Sequence, residues 1–134
     1  LNFHEQVWQH DMQADAAGKV NVALINENIG FGFEVEVLKE QFPAMYEWQN
    51  LQAGHYALGI EPSSNHVFGK PFAKERGELI WLEHGDERRY DSVFRILPDS
   101  AAVADAVRRI EAISVQPAEE YPAPSGAFLP IGGR

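Results

Sequence analysis

A chain of 134 residues with 45% hydrophobic and 11% aromatic content has the size of one globular domain able to bury a core. Its formal charge of −9 repels a nucleic-acid backbone or an anionic membrane surface, and the lack of cysteine excludes disulfides, thiolate metal sites and a cysteine nucleophile. No apolar run approaches the ~20 residues of a membrane span, and no basic stretch followed by an apolar one opens the chain, so the expected location is the cytoplasm.

The chain starts at Leu1 in what reads as an extended run, without an initiator methionine, which raises the expectation of a fragment. "FHEQVWQHDM" is rich in aromatics, and "QADAAGK" follows with the turn formers Asp15 and Gly18, so a hairpin with the next run is expected. "KVNVALINEN" alternates, with Val20, Val22 and Leu24 on one face. "FGFEVEVLKE" repeats the pattern, with Phe31, Phe33, Val35 and Val37 on one face and Glu34 and Glu36 on the other, as in a strand buried on one side. "AMYEWQN" and "GHYALGIEP" read as two more strands. "GELIWLEHG" and "ERRYDSVFRIL" read as a final pair joined at Gly85 and Asp86. About seven strands at regular spacing predict an all-β fold, an antiparallel β-sandwich.

"DSAAVADAVRRIEAI" alone has helical character. Asp99 or Ser100 can cap it, Ala102, Val103, Val107 and Ile110 form its apolar stripe, and Arg108 and Arg109 lie near its negative end. The expected organisation is a β-sandwich domain over residues 1–113, with this helix near 99–113, and a Pro/Gly-rich tail over 114–134. In that tail Tyr121, Phe128, Leu129 and Ile131 could dock on the body.

The chemistry centres on Glu61 in "GIEPSSNHVFGK". Pro62 biases Glu61 toward an extended conformation and cannot donate to a central ladder, so the strand should end there with the carboxylate at a sheet end or cleft. Ser63, Ser64, Asn65 and His66 crowd hydrogen-bonding groups into the following loop, which suits either a polar-ligand site or an ordinary turn. Trp8, Trp48 and Trp81 offer stacking surfaces for a sugar ring or simply core packing, and Trp48, flanked by glutamate and amides, is the best platform.

No metal site is expected. His4 and His10, six residues apart on one strand, lie roughly 20 Å from each other at ~3.3 Å per residue, and His55, Glu61 and His66 could converge only through a bend that the sequence does not specify. "KPFAKERG" reads as a charged loop, either solvated or an edge that binds anions or hydroxyls.

The ordered series "EQVWQHDMQADAAGKVNVALIN", "FPAMYEWQNLQAGHYALGIEPSSN" and "GKPFAKERGELIWLEHGDERRYDSVFRIL" resembles the C-terminal half of the aldose 1-epimerase superfamily, with its galactose mutarotase-like fold. It is closest to the aldose 1-epimerase-like branch of unknown function, and the resemblance covers about residues 4–113. It implies half of a large β-sandwich that binds a sugar in an open groove, with Glu61 as general base and His10, Trp48 and Asn65 as sugar contacts, and with no cofactor. It also implies that the acid and one groove wall come from an N-terminal half, a second chain or a second copy. The rival expectations are a non-catalytic carbohydrate-binding or assembly module and, third, a small metal-dependent β-barrel.

Overall fold

In the computed structural model, which describes residues 4–113, six strands and two helices follow one another as β1 (Gln6–His10), β2 (Lys19–Asn26), β3 (Phe31–Leu38), β4 (Ala44–Asn50), β5 (Ala57–Ser63), α1 (Gly69–Glu75), β6 (Ser92–Leu97) and α2 (Ser100–Ile113). The strands form two antiparallel three-stranded sheets, in the orders β1-β4-β5 and β2-β3-β6. The expected all-β sandwich with a late helix is therefore the fold. The tail residues Tyr121, Phe128, Leu129 and Ile131 lie outside the described residues.

Two tight connections set the registers. Asp15 accepts from the Ala17 and Lys19 N–H groups through its carboxylate and starts β2. The β2–β3 hairpin closes at Gly30, whose φ of +62° is open to glycine. A Cβ at that residue would also lie 2.3 Å from the Ser100 side chain, so the turn and the start of α2 share one tight contact.

The core between the sheets is small. Val20, Val35 and Val37 of the second sheet pack on Met45 of β4, with Ile60, Phe33 and Phe42 at its margin. β-Branched residues suit this pleated surface because their single preferred rotamer costs little to fix. On the other face of the same sheet, Leu97 packs on Val103 and Ala106 of α2. Asp99 caps that helix, accepting the Ala102 N–H at 2.8 Å.

The helix also buries an acid. Glu34, fully buried, takes a two-pronged bond from Arg109 at 2.8 and 3.0 Å and a third bond from Asn21 at 2.7 Å. The bonds from Arg109 pull its carboxyl below the ordinary carboxylate range; burial opposes this, and Asn21 and Arg95 add to it. β3 is thus covered on both faces at Glu34, where alternation alone predicts a solvent side, because α2 lies across it. Arg109 serves this carboxylate rather than only the helix end.

Three further expectations are corrected. β1 does not form a hairpin with β2: it pairs with β4, and residues 11–18 carry the chain from one sheet to the other. "GELIWLEHG" forms no strand, and of the last run only Ser92–Leu97 is paired; the Asp86 N–H to Glu83 carbonyl turn joins irregular backbone. "KPFAKERG" contributes α1 rather than a loop. Pro71 falls in the first turn of that helix, where no backbone N–H has an intrahelical partner to lose.

The sandwich is incompletely closed. Phe94 and Ile96 on β6 and Leu24 on β2 share the inner face with Val20 and Val35, yet Phe94 is 66% and Ile96 61% exposed. Among the described residues no helix is long and apolar enough to cross a membrane.

Arg109→Met is expected to destabilise the fold by about 2 kcal/mol, the worth of charge-assisted hydrogen bonds to a buried carboxylate, as read from urea denaturation at neutral pH. Because the folded-state pKa of Glu34 is depressed, its contribution is complete above the ordinary value of 4.5 and is lost as the pH falls through the lower folded value. Stability should therefore decline more steeply on acidification in the wild type than in Glu34→Gln.

Candidate functional site

Residues opposite each other in an antiparallel ladder share a face, and neighbours along a strand alternate. In the first sheet this places Gln9, Tyr46 and Glu61 in one row. Val7, Trp48 and Gly59 form the next row on the same face. The opposite face carries His10, Met45 and Pro62, then Trp8, Glu47 and Ile60, and Met45 and Ile60 turn it toward the core.

Glu61 lies on an edge strand, exposed to solvent. β5 continues past it to Ser63, with Pro62 opposite Met45, so the strand does not end at Glu61 as expected. A proline is tolerated because β5 is an edge, where a missing N–H breaks no essential ladder bond. The carboxylate folds back over Gly59, where an added Cβ would lie 2.6 Å from Glu61 Oε1. Glycine therefore opens the floor between Glu61 and Trp48, its cross-strand partner. Trp48 is half-buried, with its indole N–H donating to Glu5 at 3.1 Å.

Asn65 belongs to the loop that follows β5. Its backbone N–H donates to Ser63 Oγ at 3.3 Å and its amide donates to the His66 carbonyl at 3.1 Å, so it shapes that loop. His10 lies on the opposite face, 3.2 Å from Glu47. The structure thus brings Glu61, Trp48 and Gly59 together, places Asn65 shortly beyond the strand end, and directs His10 away.

A buried polar cluster on this face went unrecognised in the sequence. His66 is buried, its Nδ1 2.7 Å from Glu78, and Arg76 donates to the other Glu78 oxygen at 2.6 Å. Burial works against the ionised form of Glu78, but the bonds from His66 and Arg76 outweigh it and hold its carboxyl below the ordinary range. On the far side of the ring, His66 Nε2 meets the Gln9 amide nitrogen at 3.4 Å, and the Tyr46 hydroxyl donates to the Gln9 carbonyl oxygen at 3.3 Å. Burial, partly offset by a backbone bond with Val67 and aided by the Glu78 charge, pushes the Tyr46 phenol up to about 12, so it remains a neutral donor. His66 could be singled out in the sequence as a loop polar group, but its partner Glu78, twelve residues on, could not.

Among the described residues no three side chains of metal-ligating type converge. Two surface hollows lie away from Glu61. One is lined by Lys19, Glu36 and Asp91 over the second sheet, and the other by Gly30, Ser100 and Glu111 beside α2. The face around Glu61 is a sheet-floored surface, so its chemistry rather than its depth marks it as the candidate site.

Residues 1–96 match the family described as "Domain of unknown function (DUF4432)". The chain belongs to that family. No curated protein matches it. Among solved structures, a "putative aldose 1-epimerase" from Klebsiella pneumoniae is similar, with a TM-score of 0.75 at 24% identity over 81% of this chain and 29% of that one. The shared feature is the fold, and this chain spans less than a third of that protein's length.

Gly59→Ala is expected to keep the fold, because the clash is with the flexible end of Glu61, but to push the carboxylate off the Trp48 side. A crystal structure of the variant checks this: Glu61 Oε1 should leave the space over residue 59.

Proposed function

We propose that this chain is the sugar-binding, base-bearing C-terminal part of an aldose 1-epimerase-like enzyme that interconverts sugar anomers. The observation that carries this reading is the placement of the Glu61 carboxylate over Gly59, beside Trp48, on the face of the first sheet turned away from the core. The similarity of the fold to the Klebsiella protein supports the sugar class. On this reading an aldose ring stacks on Trp48, the Asn65 loop borders it, and Glu61 removes the proton from the anomeric hydroxyl. An acid protonates the ring oxygen, the ring opens to the aldehyde, and closure on the other face inverts the anomeric centre. No cofactor takes part. His10, paired with Glu47, has no place in the same groove.

The acid is then a group from an N-terminal half, a second chain or a second copy. His66 is too deeply buried to reach a bound sugar. The bare apolar surface at Leu24, Phe94 and Ile96 and the open edges of both sheets support such a companion, since exposed edges and apolar faces favour association. The same surface is what favours the second reading, a carbohydrate-binding or assembly module without catalysis.

Exchange spectroscopy of aldose anomers on the full-length protein separates these. Glu61→Gln is expected to slow exchange by about a hundredfold or more, the scale of general-base catalysis, while sugar binding persists. Binding with no exchange in the wild type would favour the module, and an unchanged rate in Glu61→Gln would remove Glu61 from the mechanism.

A further inference from the structure

We propose that Gln9 is a sugar-hydroxyl contact of the Glu61 face, held in one orientation by Tyr46 on one side and by His66, Glu78 and Arg76 on the other. The inference rests on the reading of this face as a sugar site and adds to it a residue that neither motif nor resemblance indicates.

The orientation follows from hydrogen-bond direction. The ionised Glu78 only accepts, and with one oxygen engaged by Arg76 it takes the His66 Nδ1 proton with the other. The nitrogen end of the Gln9 amide lies 3.4 Å from His66 Nε2, the ring nitrogen that Glu78 does not engage. The carbonyl end then faces the Tyr46 hydroxyl, which donates to it. Tyr46 on one side and His66, held by Glu78 and through it by Arg76, on the other thus orient the Gln9 amide.

An amide has two N–H donors and two carbonyl lone pairs. Tyr46 and His66 engage one of each, leaving one donor and one acceptor, the pair that a sugar hydroxyl requires. Unlike Tyr46 and His66, which are buried, Gln9 is half-buried and reaches the surface. It lies two strands from Glu61 in the same row, roughly 10 Å away at the usual strand spacing. A pyranose stacked on Trp48 in the adjoining row has Glu61 toward β5 and Gln9 toward β1. Fixing the amide in advance spares the ordering cost that binding otherwise imposes on a long side chain.

The test is a titration of the full chain with D-glucose and D-galactose, followed by NMR with Gln9 side-chain amide assignments. A Gln9 Nε2 proton resonance is expected to move on sugar addition, and Gln9→Met is expected to weaken binding about tenfold, the loss of hydrogen bonds to a neutral ligand. Glu61→Gln should retain the Gln9 shift. If the wild type binds sugar while the Gln9 amide stays still, or Gln9→Met binds as tightly, Gln9 is not a contact and the Glu61 reading survives. If neither sugar binds the wild type, the sugar site and this inference fall together. Should Gln9→Met not fold, the wild-type amide shift alone decides.

Discussion

The packing of Met45 on Val20, Val35 and Val37 is the contact on which the rest depends. It is where the first sheet meets the second, and β4 is the central strand of its sheet, so every residue of that sheet takes its direction from whether it falls in phase with Met45. Tyr46 and Trp48 are out of phase and face away from the core. Through the ladder they bring Gln9, Gly59 and Glu61 to the same side. A slip of one residue in either neighbouring strand would exchange that set for Trp8, Ile60 and His10. The candidate site is thus the reverse side of a core contact.

Two carboxylates, Glu34 buried and Glu78 half-buried, then fix what the sheets leave loose. Glu34 ties α2 to the second sheet, and Glu78 ties the segment after α1 to the first through His66. Glu34 takes bonds from Arg109 and Asn21, and Glu78 takes bonds from Arg76 and His66, so directed bonds offset the cost of withdrawing each charge from water. The two differ in what they support. The Glu34 cluster lies on the far side of the second sheet and supports architecture, whereas the Glu78 cluster ends at the half-buried Gln9 amide, in the same row as Glu61.

Much of the fold was legible because alternation is a local signal. β2, β3, β4 and the capped helix after Asp99 stand where apolar periodicity places them. What failed was pairing. Nothing local distinguishes a turn that returns a strand to its neighbour from one that crosses to another sheet, and the Asp15 turn does the latter. The run Glu78–Glu83 has strand-like side chains, yet no strand among the described residues pairs with it, so its composition outran its context. At the candidate site, Glu61, Trp48 and Asn65 could be proposed from residue type and order. Gln9 could not, because a glutamine on a strand gains meaning only from the His66 and Tyr46 that meet it across 57 and 37 residues of chain. His10 attracted notice as a histidine, and the pleat turned it to the other face.

The three tryptophans occupy three distinct surfaces: Trp48 on the Glu61 face, Trp8 on the reverse of the same sheet, and Trp81, 75% exposed, in the irregular run after α1. Their emission is therefore a sum of three environments, each sensitive to a different event. A ligand over Gly59 perturbs the indole of residue 48, closure of the sandwich perturbs that of residue 8, and capture of the unpaired 78–83 run shifts residue 81 from a water-exposed to a shielded spectrum. Single-tryptophan versions of the chain would turn this arrangement into an optical readout that separates ligand binding from assembly.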